Sequence, residues 1–292
     1  MPERKVGVLG ASSLVGGCLL AQLEEMEWSA IAFSREKRVA IQGGTVEWRQ
    51  LPAPGMKSME ITCPISHWIC VAPIWVLPDY FALIEASGAR RLVALSSTSR
   101  FTKVGSGDTA ENAVAAKLIE SEARVQAWAD DRGIEWVVLR PTLIYGLARD
   151  KNISEMARII CRFGFFPLLG SAQGLRQPIH AEDVAAACVA ALRVPSAANR
   201  AYNISGGETL AYREMVSRVF TALGRPARLA TVPLWAFRLA VAMLRYLPPY
   251  RHWSAAMAER MNRDLVFDHT DAACDLGFKP RGFALTAKDV PQ

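Results

Sequence analysis

The stretch Val6-Gly7-Val8-Leu9-Gly10-Ala11-Ser12-Ser13-Leu14-Val15-Gly16 sets the reading of the whole chain. Its first four residues form a short apolar run suited to a buried strand. Small residues follow, and then Leu14, Val15, Cys18, Leu19 and Leu23 recur at spacings of three and four, which predicts a helix with one buried face. A strand that turns tightly into a helix leaves free N–H groups at the helix start, and these favour an anion. Glycines at Gly10 and Gly16 allow the turn and a close approach of backbone to a phosphate, while Ser13 stands where such loops most often carry a middle glycine. The candidate phosphate-binding residues are therefore Gly10, Ser12, Ser13, Leu14, Val15 and Gly16. Many strand-to-helix turns carry two glycines, so the purpose of this one depends on the rest of the chain.

At 292 residues and 51% hydrophobic content, the chain is long enough to bury a substantial core in one large or two modest domains. The formal charge of +6 is spread along the sequence. Scattered basic residues fit a phosphate-bearing ligand or an acidic membrane surface; no nucleic-acid motif is present and no nucleic-acid partner is expected. The cysteines Cys18, Cys63, Cys70, Cys161, Cys188 and Cys274 have neither metal-ligand nor redox spacing, so no metal site is expected and a reducing, cytoplasmic compartment is. Met1 to Lys5 run into the first strand without a leader-like apolar segment, which argues against export. Arg238 and Arg245 interrupt the best apolar window, leaving a protein that is at most peripheral at the inner face of a membrane.

Further along, Ala30 to Ser34 reads as a second strand, followed by Arg35, Lys37 and Arg38. At that strand end in a dinucleotide fold an acid binds the ribose 2′-hydroxyl, whereas arginine suits a 2′-phosphate. With Ser34, Arg35 and Arg38 there, NADP is expected over NAD; the other reading of these charges is a solvated loop. Thr45 to Trp48 and His67 to Val71 are strand-like, and the second ends in Ala72-Pro73-Ile74, small and rigid enough for a cofactor to pass over. A helix over Leu77 to Ala86 leads to the strand Arg91 to Leu95, which runs into the hydroxyl cluster Ser96-Ser97-Thr98-Ser99. Asp108 to Arg132 is helical with Lys117 in its middle; Ile134 to Leu139 is a strand broken by Arg140-Pro141, and Thr142 to Gly146 is a loop. This alternation predicts an α/β fold, a doubly wound parallel sheet of Rossmann type.

Helices over Ser154 to Phe163 and Ala181 to Leu192, a short extended piece Gln177 to His180, and a strand Ala201 to Ser205 follow. A helix over Thr209 to Leu223, with Thr209 as its cap, comes next. The expected organisation is a dinucleotide-binding domain over residues 1–150 with residues 174–206 interleaved, and a smaller, mainly substrate-binding region over 151–292. Leu229 to Leu247 reads as an apolar helix with Arg238 and Arg245 on nearly one face. It is either a core helix of the substrate region or a peripheral membrane contact.

In their order along the chain these pieces resemble the extended short-chain dehydrogenase/reductase superfamily, above all its sugar-nucleotide epimerase/dehydratase branch and atypical members. The resemblance covers about Lys5 to Leu223. Beside the glycine loop it is carried by Ser96-Ser97-Thr98, Lys117-Leu118-Ile119-Glu120, Arg140-Pro141-Thr142-Leu143-Ile144-Tyr145-Gly146, Ile179-His180-Ala181-Glu182-Asp183-Val184-Ala185 and Tyr202-Asn203-Ile204-Ser205-Gly206-Gly207-Glu208. It implies a nicotinamide cofactor contacted also by Ala72, Pro73, Ile74, Ser96, Lys117 and Pro141. It also implies catalysis by Lys117 and Thr98, with Ser97 as a second candidate for holding the substrate oxygen. Ala113 occupies the position of the family's tyrosine acid. Three outcomes follow: another group (Lys117, Glu111 or Tyr145) takes over, the cofactor is held without turnover, or the helix register differs. The resemblance thus implies an NADP-binding atypical reductase or epimerase acting on a carbonyl or hydroxyl carbon of a sugar nucleotide, lipid-linked sugar or similar amphipathic small molecule. The alternative it leaves is a non-catalytic NADP-binding scaffold, similar to the nucleotide-binding accessory subunit of respiratory complex I, engaging a protein partner or a membrane.

Overall fold

Seven of the apolar runs align side by side as one parallel sheet. The computed structural model describes residues 5–38, 45–52, 64–104, 108–237 and 255–291. Strands β1 (Lys5–Leu9), β2 (Ser29–Ser34), β3 (Val46–Gln50), β4 (His67–Cys70), β5 (Arg91–Leu95) and β6 (Glu135–Pro141) belong to this sheet. They are joined by a late strand, Arg200–Ile204, which we number β11 after four short strands named below. The spatial order is β11-β6-β5-β4-β1-β2-β3 with every pair parallel. The chain moves outward from β1 to β2 and β3 and then returns to β4 on the other side of β1. A crevice consequently opens beyond the carboxyl ends of β1 and β4, the place where open α/β sheets bind ligands.

Both faces of the sheet's centre are covered, which is why β1, β2 and β5 are near-continuous apolar runs, while the edge strand β3 keeps Glu47 and Arg49. On one face α1 (Leu14–Glu25) and α6 (Ala181–Arg193) pack Leu19, Leu23, Val184 and Cys188 against Val6 and Val8. On the other, α4 (Thr109–Asp131) brings Leu118 and Val125 into a core with Phe33, Trp68 and Leu92. Gly7 belongs to this packing: a side chain there would meet the Trp68 ring at 2.7 Å, and the indole fills that space while stacking on Phe33 at 5.2 Å between ring centroids. A second core forms from α5 (Ile153–Phe163), β8 (Phe166–Leu169) and α7 (Tyr212–Ala222), with Ile160, Leu168, Val216, Phe220 and Phe283 buried in it. Among the described residues no helix is long and apolar enough to cross a membrane.

Several expected boundaries move for reasons of long-range pairing. Leu77 to Ala86 begins as a 3₁₀ turn, Ile74–Tyr80, that contains Pro78, before α2 (Phe81–Ala86). Arg140 and Pro141 do not end β6 early, because they pair in register with Asn203 and Ile204 of β11. The loop expected at Thr142 to Gly146 contains β7 (Ile144–Tyr145), paired with β10 (Ile179–His180). The helix expected from Thr209 starts only at Tyr212, because β12 (Leu210–Ala211) pairs antiparallel with β9 (Leu175–Arg176), and Ala211, not a threonine, occupies the cap.

The helix expected from Leu229 is also corrected. Leu229–Val232 is strand β13, parallel to β8, where Val232 accepts the Gly170 N–H and Arg228, just before the strand, accepts that of Phe166. Residues 238–247 of that expected helix lie outside the described residues. After them come two helices, α8 (Ala255–Asn262) and α9 (Thr270–Leu276).

His180 holds the segment around Asp289. Its Nδ1 accepts the Glu182 N–H at 3.2 Å and caps α6, which leaves the proton on Nε2, 3.2 Å from Asp289 Oδ1. Burial raises the Asp289 pKa, but N–H and hydroxyl donors from Thr286 and the Leu147 N–H outweigh it and hold the carboxyl below its ordinary range.

Candidate cofactor and substrate site

The glycine loop is built as a cradle. Gly10 adopts φ +80°, and a side chain there would lie 2.4 Å from the backbone nitrogen of Ala72 on the neighbouring strand end. Gly16 is as tightly placed: a Cβ would lie 2.4 Å from the Gly10 carbonyl oxygen. Ser13 takes the place of a middle glycine by capping α1, its hydroxyl accepting the Gly16 N–H at 3.0 Å. No acidic residue lies in the first turn of α1, so the positive helix end is uncompensated by side chains there.

Ser12, Ser13, Leu14 and Val15 open onto a cavity of about 690 Å³. Ala72, Pro73, Ile74, Ser96 and Pro141 line it as well. Arg149, which the sequence did not single out, also lines it and donates to the Ser12 carbonyl at 3.3 Å, setting a cation at the phosphate loop. A backbone cradle that side chains would fill, a helix start and an arginine together fit the diphosphate of a dinucleotide.

Ser34 ends β2 one residue past the Leu9–Phe33 register pair, level with Gly10 on the next strand. Arg35 and Arg38 follow as exposed residues, with the Arg38 guanidinium 4.9 Å from the Trp48 ring centroid. None of these three lines the cavity itself.

The wall expected to carry Lys117 is different. Val114 and Leu118 line the cavity, while Lys117 is exposed and its Nζ stands over the Trp75 ring at 5.0 Å. One residue turns a helix by about 100°, so Ala113 and Lys117 share a face rotated away from the one that meets the cavity. The register is held by Glu122, one turn beyond Leu118 and 1% exposed. Its carboxylate accepts from Arg140 Nη2 at 2.8 Å, and from Arg100 and the Ser96 hydroxyl. Neither Ala113 nor Val114 carries a proton to transfer.

Two other suggested substitutes are also placed elsewhere. Glu111 pairs with Arg260, and Tyr145 is buried in the second core between His180 and Phe283, lining neither cavity described here. Burial, with Asp289 and Asp183 nearby, pushes the Tyr145 phenol far above its ordinary range.

A second cavity, about 620 Å³, shares Ser97, Ser99, Ile144, Lys151 and Asn152 with the first, so the two adjoin. Ser97 Oγ accepts the Ser99 N–H at 3.1 Å, and its own proton meets no acceptor among the described residues. Thr98 lines only the second cavity, and its hydroxyl is committed to the Pro141 carbonyl at 3.1 Å.

Lys151 and Asn152 reach the junction because Asp150 caps the start of α5. Its Oδ1 accepts N–H groups of Asn152, Ile153 and Ser154 at 2.8, 2.6 and 3.2 Å. The Asp-x-x-x-Ser pattern before an apolar helix was the available sequence sign of this cap; nothing local shows that the loop meets the cavity.

In the second cavity Arg176 is buried and makes no ion pair among the described residues, with the Asp264 carboxylate near enough to favour its charge. It donates instead to the carbonyls of Leu175 and Arg263, at 2.7 and 2.8 Å, and of Arg260. Burial lowers its pKa to about 10, and the guanidinium lies 5.5 Å from the Tyr212 ring centroid. Burial raises that phenol to about 12, despite the neighbouring arginines. Among the described residues no cluster of His, Cys, Asp and Glu could hold a metal ion.

Residues 79–205 match the family described as NAD dependent epimerase/dehydratase. The chain is 27% identical over 174 residues to UDP-glucose 4-epimerase of Vibrio cholerae, covering 58% of this chain and 51% of that protein, about half the relative's length. It is 30% identical over 259 residues to (4-alkanoyl-5-oxo-2,5-dihydrofuran-3-yl)methyl phosphate reductase of Streptomyces griseus subsp. griseus, covering 87% of this chain and 86% of that protein. The chain belongs to the NAD dependent epimerase/dehydratase family. Its fold is similar to that of Thermotoga maritima UDP-glucose 4-epimerase solved with UDP-glucose, with a TM-score of 0.69 over 94% of this chain and 93% of that one at 14% identity. Within the family fold, this member presents Val114 and Leu118 at the cofactor cavity.

Proposed function

We propose that this chain is an NADP-dependent reductase or epimerase acting at a carbonyl or hydroxyl carbon of an anionic, amphipathic small molecule. The observation that carries the reading is that the dinucleotide cavity adjoins a second cavity at Ser97 and Lys151. A nicotinamide dinucleotide, when bound, supplies or removes a hydride at that carbon. The cradle from Gly10 to Gly16 and Arg149 would hold its diphosphate, and Arg35 and Arg38 a 2′-phosphate. Ser97 donates a hydrogen bond to the reacting oxygen in place of Thr98, whose proton is committed. Lys151, the one ionisable side chain among the described residues that the two cavities share, gives the oxygen its proton on reduction and takes it back on oxidation. Arg176, a buried cation that makes no ion pair among the described residues, favours an anionic group on the substrate. The names of the two relatives, an epimerase of a sugar nucleotide and a reductase of an alkanoyl-bearing phosphate, support this range of substrates.

Calorimetric titration tests the cofactor preference. NADPH is expected to bind at least about tenfold more tightly than NADH, a difference of about 1.4 kcal/mol, and Arg35→Asp to reverse the order. Equal or tighter NADH binding to the unmodified protein overturns NADP. Single-turnover oxidation of bound NADPH against ketosugars, quinones and alkanoyl phosphates tests the chemistry. With a responsive carbonyl, Lys151→Ala is expected to slow the step by about 100-fold, the usual worth of a positioned acid, and Lys117→Ala to leave it within about twofold. The reverse pattern returns the role to Lys117. The apolar Val114 and Leu118 favour a second reading, a non-catalytic NADP-binding scaffold; NADPH that binds tightly but is oxidised by no carbonyl establishes it.

A further inference from the structure

We infer that the substrate carries a flexible alkyl chain beside its anionic group, and that the second cavity's floor is the seat of that chain. The inference rests on the reading of this cavity as the substrate site and narrows its ligand class.

The floor is the uncovered edge of the second core. Met156 and Ile159 of α5, Phe166 of β8 and Met261 of α8 all line it. Met156, Phe166 and Met261 are themselves members of that core, and Ile159 packs against it. Ser97, Lys151 and Asn152 stand at the junction, and charged groups, Lys103, Glu155, Arg176 and Arg260, line the walls around the floor.

A polyhydroxylated or nucleotide ligand would need neutral hydrogen-bonding partners away from the junction, and several of those present are engaged within the protein, although among the described residues the Tyr212 and Thr102 hydroxyls are not. Thr142 donates to the Gln177 carbonyl at 2.5 Å, Gln177 Oε1 accepts the Phe267 N–H at 2.7 Å, and the Met261 sulfur accepts the Leu169 N–H at 3.4 Å. Pulling them away to face a sugar leaves buried backbone groups unpaired, which costs more than a new hydrogen bond returns. An alkyl chain asks for none of these bonds and removes apolar surface from water. Two methionines in the floor, unbranched and polarisable, conform to chains of different length. Arg176 completes the match as the cation for a single anionic head.

Isothermal titration of the NADPH-loaded protein with butyl, hexyl, octyl and decyl phosphate, below their micelle concentrations, tests this directly. Affinity is expected to rise about two- to fourfold per added methylene and then level off when the floor is filled. Ile159→Asp flattens the rise while leaving NADPH binding within about twofold. Ile159→Trp, which fills space without adding charge, makes affinity level off at a shorter chain and guards against misfolding of the aspartate variant. No dependence on chain length, or tighter binding of uridine diphosphate than of decyl phosphate, overturns the inference. Oxidation of NADPH by carbonyls without a chain-length effect defeats the alkyl site alone. A chain-length effect with no oxidation by any carbonyl keeps the site and defeats the catalytic reading.

Discussion

Replacing Gly16 with alanine is expected to weaken NADPH binding by at least about 100-fold, or about 2.7 kcal/mol, with the protein still folded by circular dichroism. The added methyl group would lie 2.4 Å from the Gly10 carbonyl oxygen and 2.6 Å from backbone atoms of Ala11. Both obstacles are backbone of the loop itself, so the methyl cannot be accommodated by a side-chain rotation. Relief requires the helix start and the strand end to separate, which moves the cradle's N–H groups off the phosphate. Gly88 provides the control. It has φ +75°, and a Cβ added there would meet nothing within 4 Å, so Gly88→Ala costs about 1 kcal/mol of stability through backbone conformation alone. The cofactor affinity of that variant is expected to be unchanged. If Gly16→Ala binds NADPH within about threefold of the unmodified protein, close backbone packing in the loop is not what holds the cofactor.

The largest loss of stability is expected at Glu122. Its carboxylate is 1% exposed and joins α4 to β6 through Arg140 and to α3 (Ser99–Thr102) through Arg100, with Ser96 as a further donor. Glu122→Ala leaves two guanidinium groups beside a buried, uncharged space, and breaking a buried pair in this way costs about 3–5 kcal/mol. Urea unfolding measures it, with the slope unchanged if the denatured state is unaffected. Glu122→Gln, which retains an oxygen acceptor without the charge, is expected to fall between the two. A loss below about 1 kcal/mol for the alanine variant, the worth of an exposed pair, shows that the cluster is hydrated enough to behave as a surface one. Because the same carboxylate orients Ser96 at the cofactor cavity, both variants are also expected to weaken NADPH binding.

Local periodicity and a few small residues were enough to read the parallel sheet, the phosphate loop and the hydroxyl cluster after β5 directly from the sequence. Each is a short-range pattern: apolar runs buried on both faces, Gly10 and Gly16 flanking a helix start, serines at a strand's carboxyl end. Arg149 and Lys151 were not legible, since a loop cation becomes part of a site only when a distant strand end lies opposite it. Leu229 to Val232 was misread as helix because its apolar character suits either conformation, and the open edge of β8, far away in sequence, selects the strand.

The same division governs the cofactor site. Sequence alone determined that a dinucleotide loop leads into an α/β fold, because a tight turn and a buried helix stripe are specified by adjacent residues. Only the tertiary structure decided which face of α4 meets the cavity. That rotation is fixed by burying Glu122 against Arg140 and Arg100, and it brings Val114 and Leu118 inward while Lys117 rests over Trp75. A single residue of register, about 100° on a helix, separates Lys117 from the residues of α4 that line the cavity. No pattern within the helix outweighs a buried charge that must find its partners.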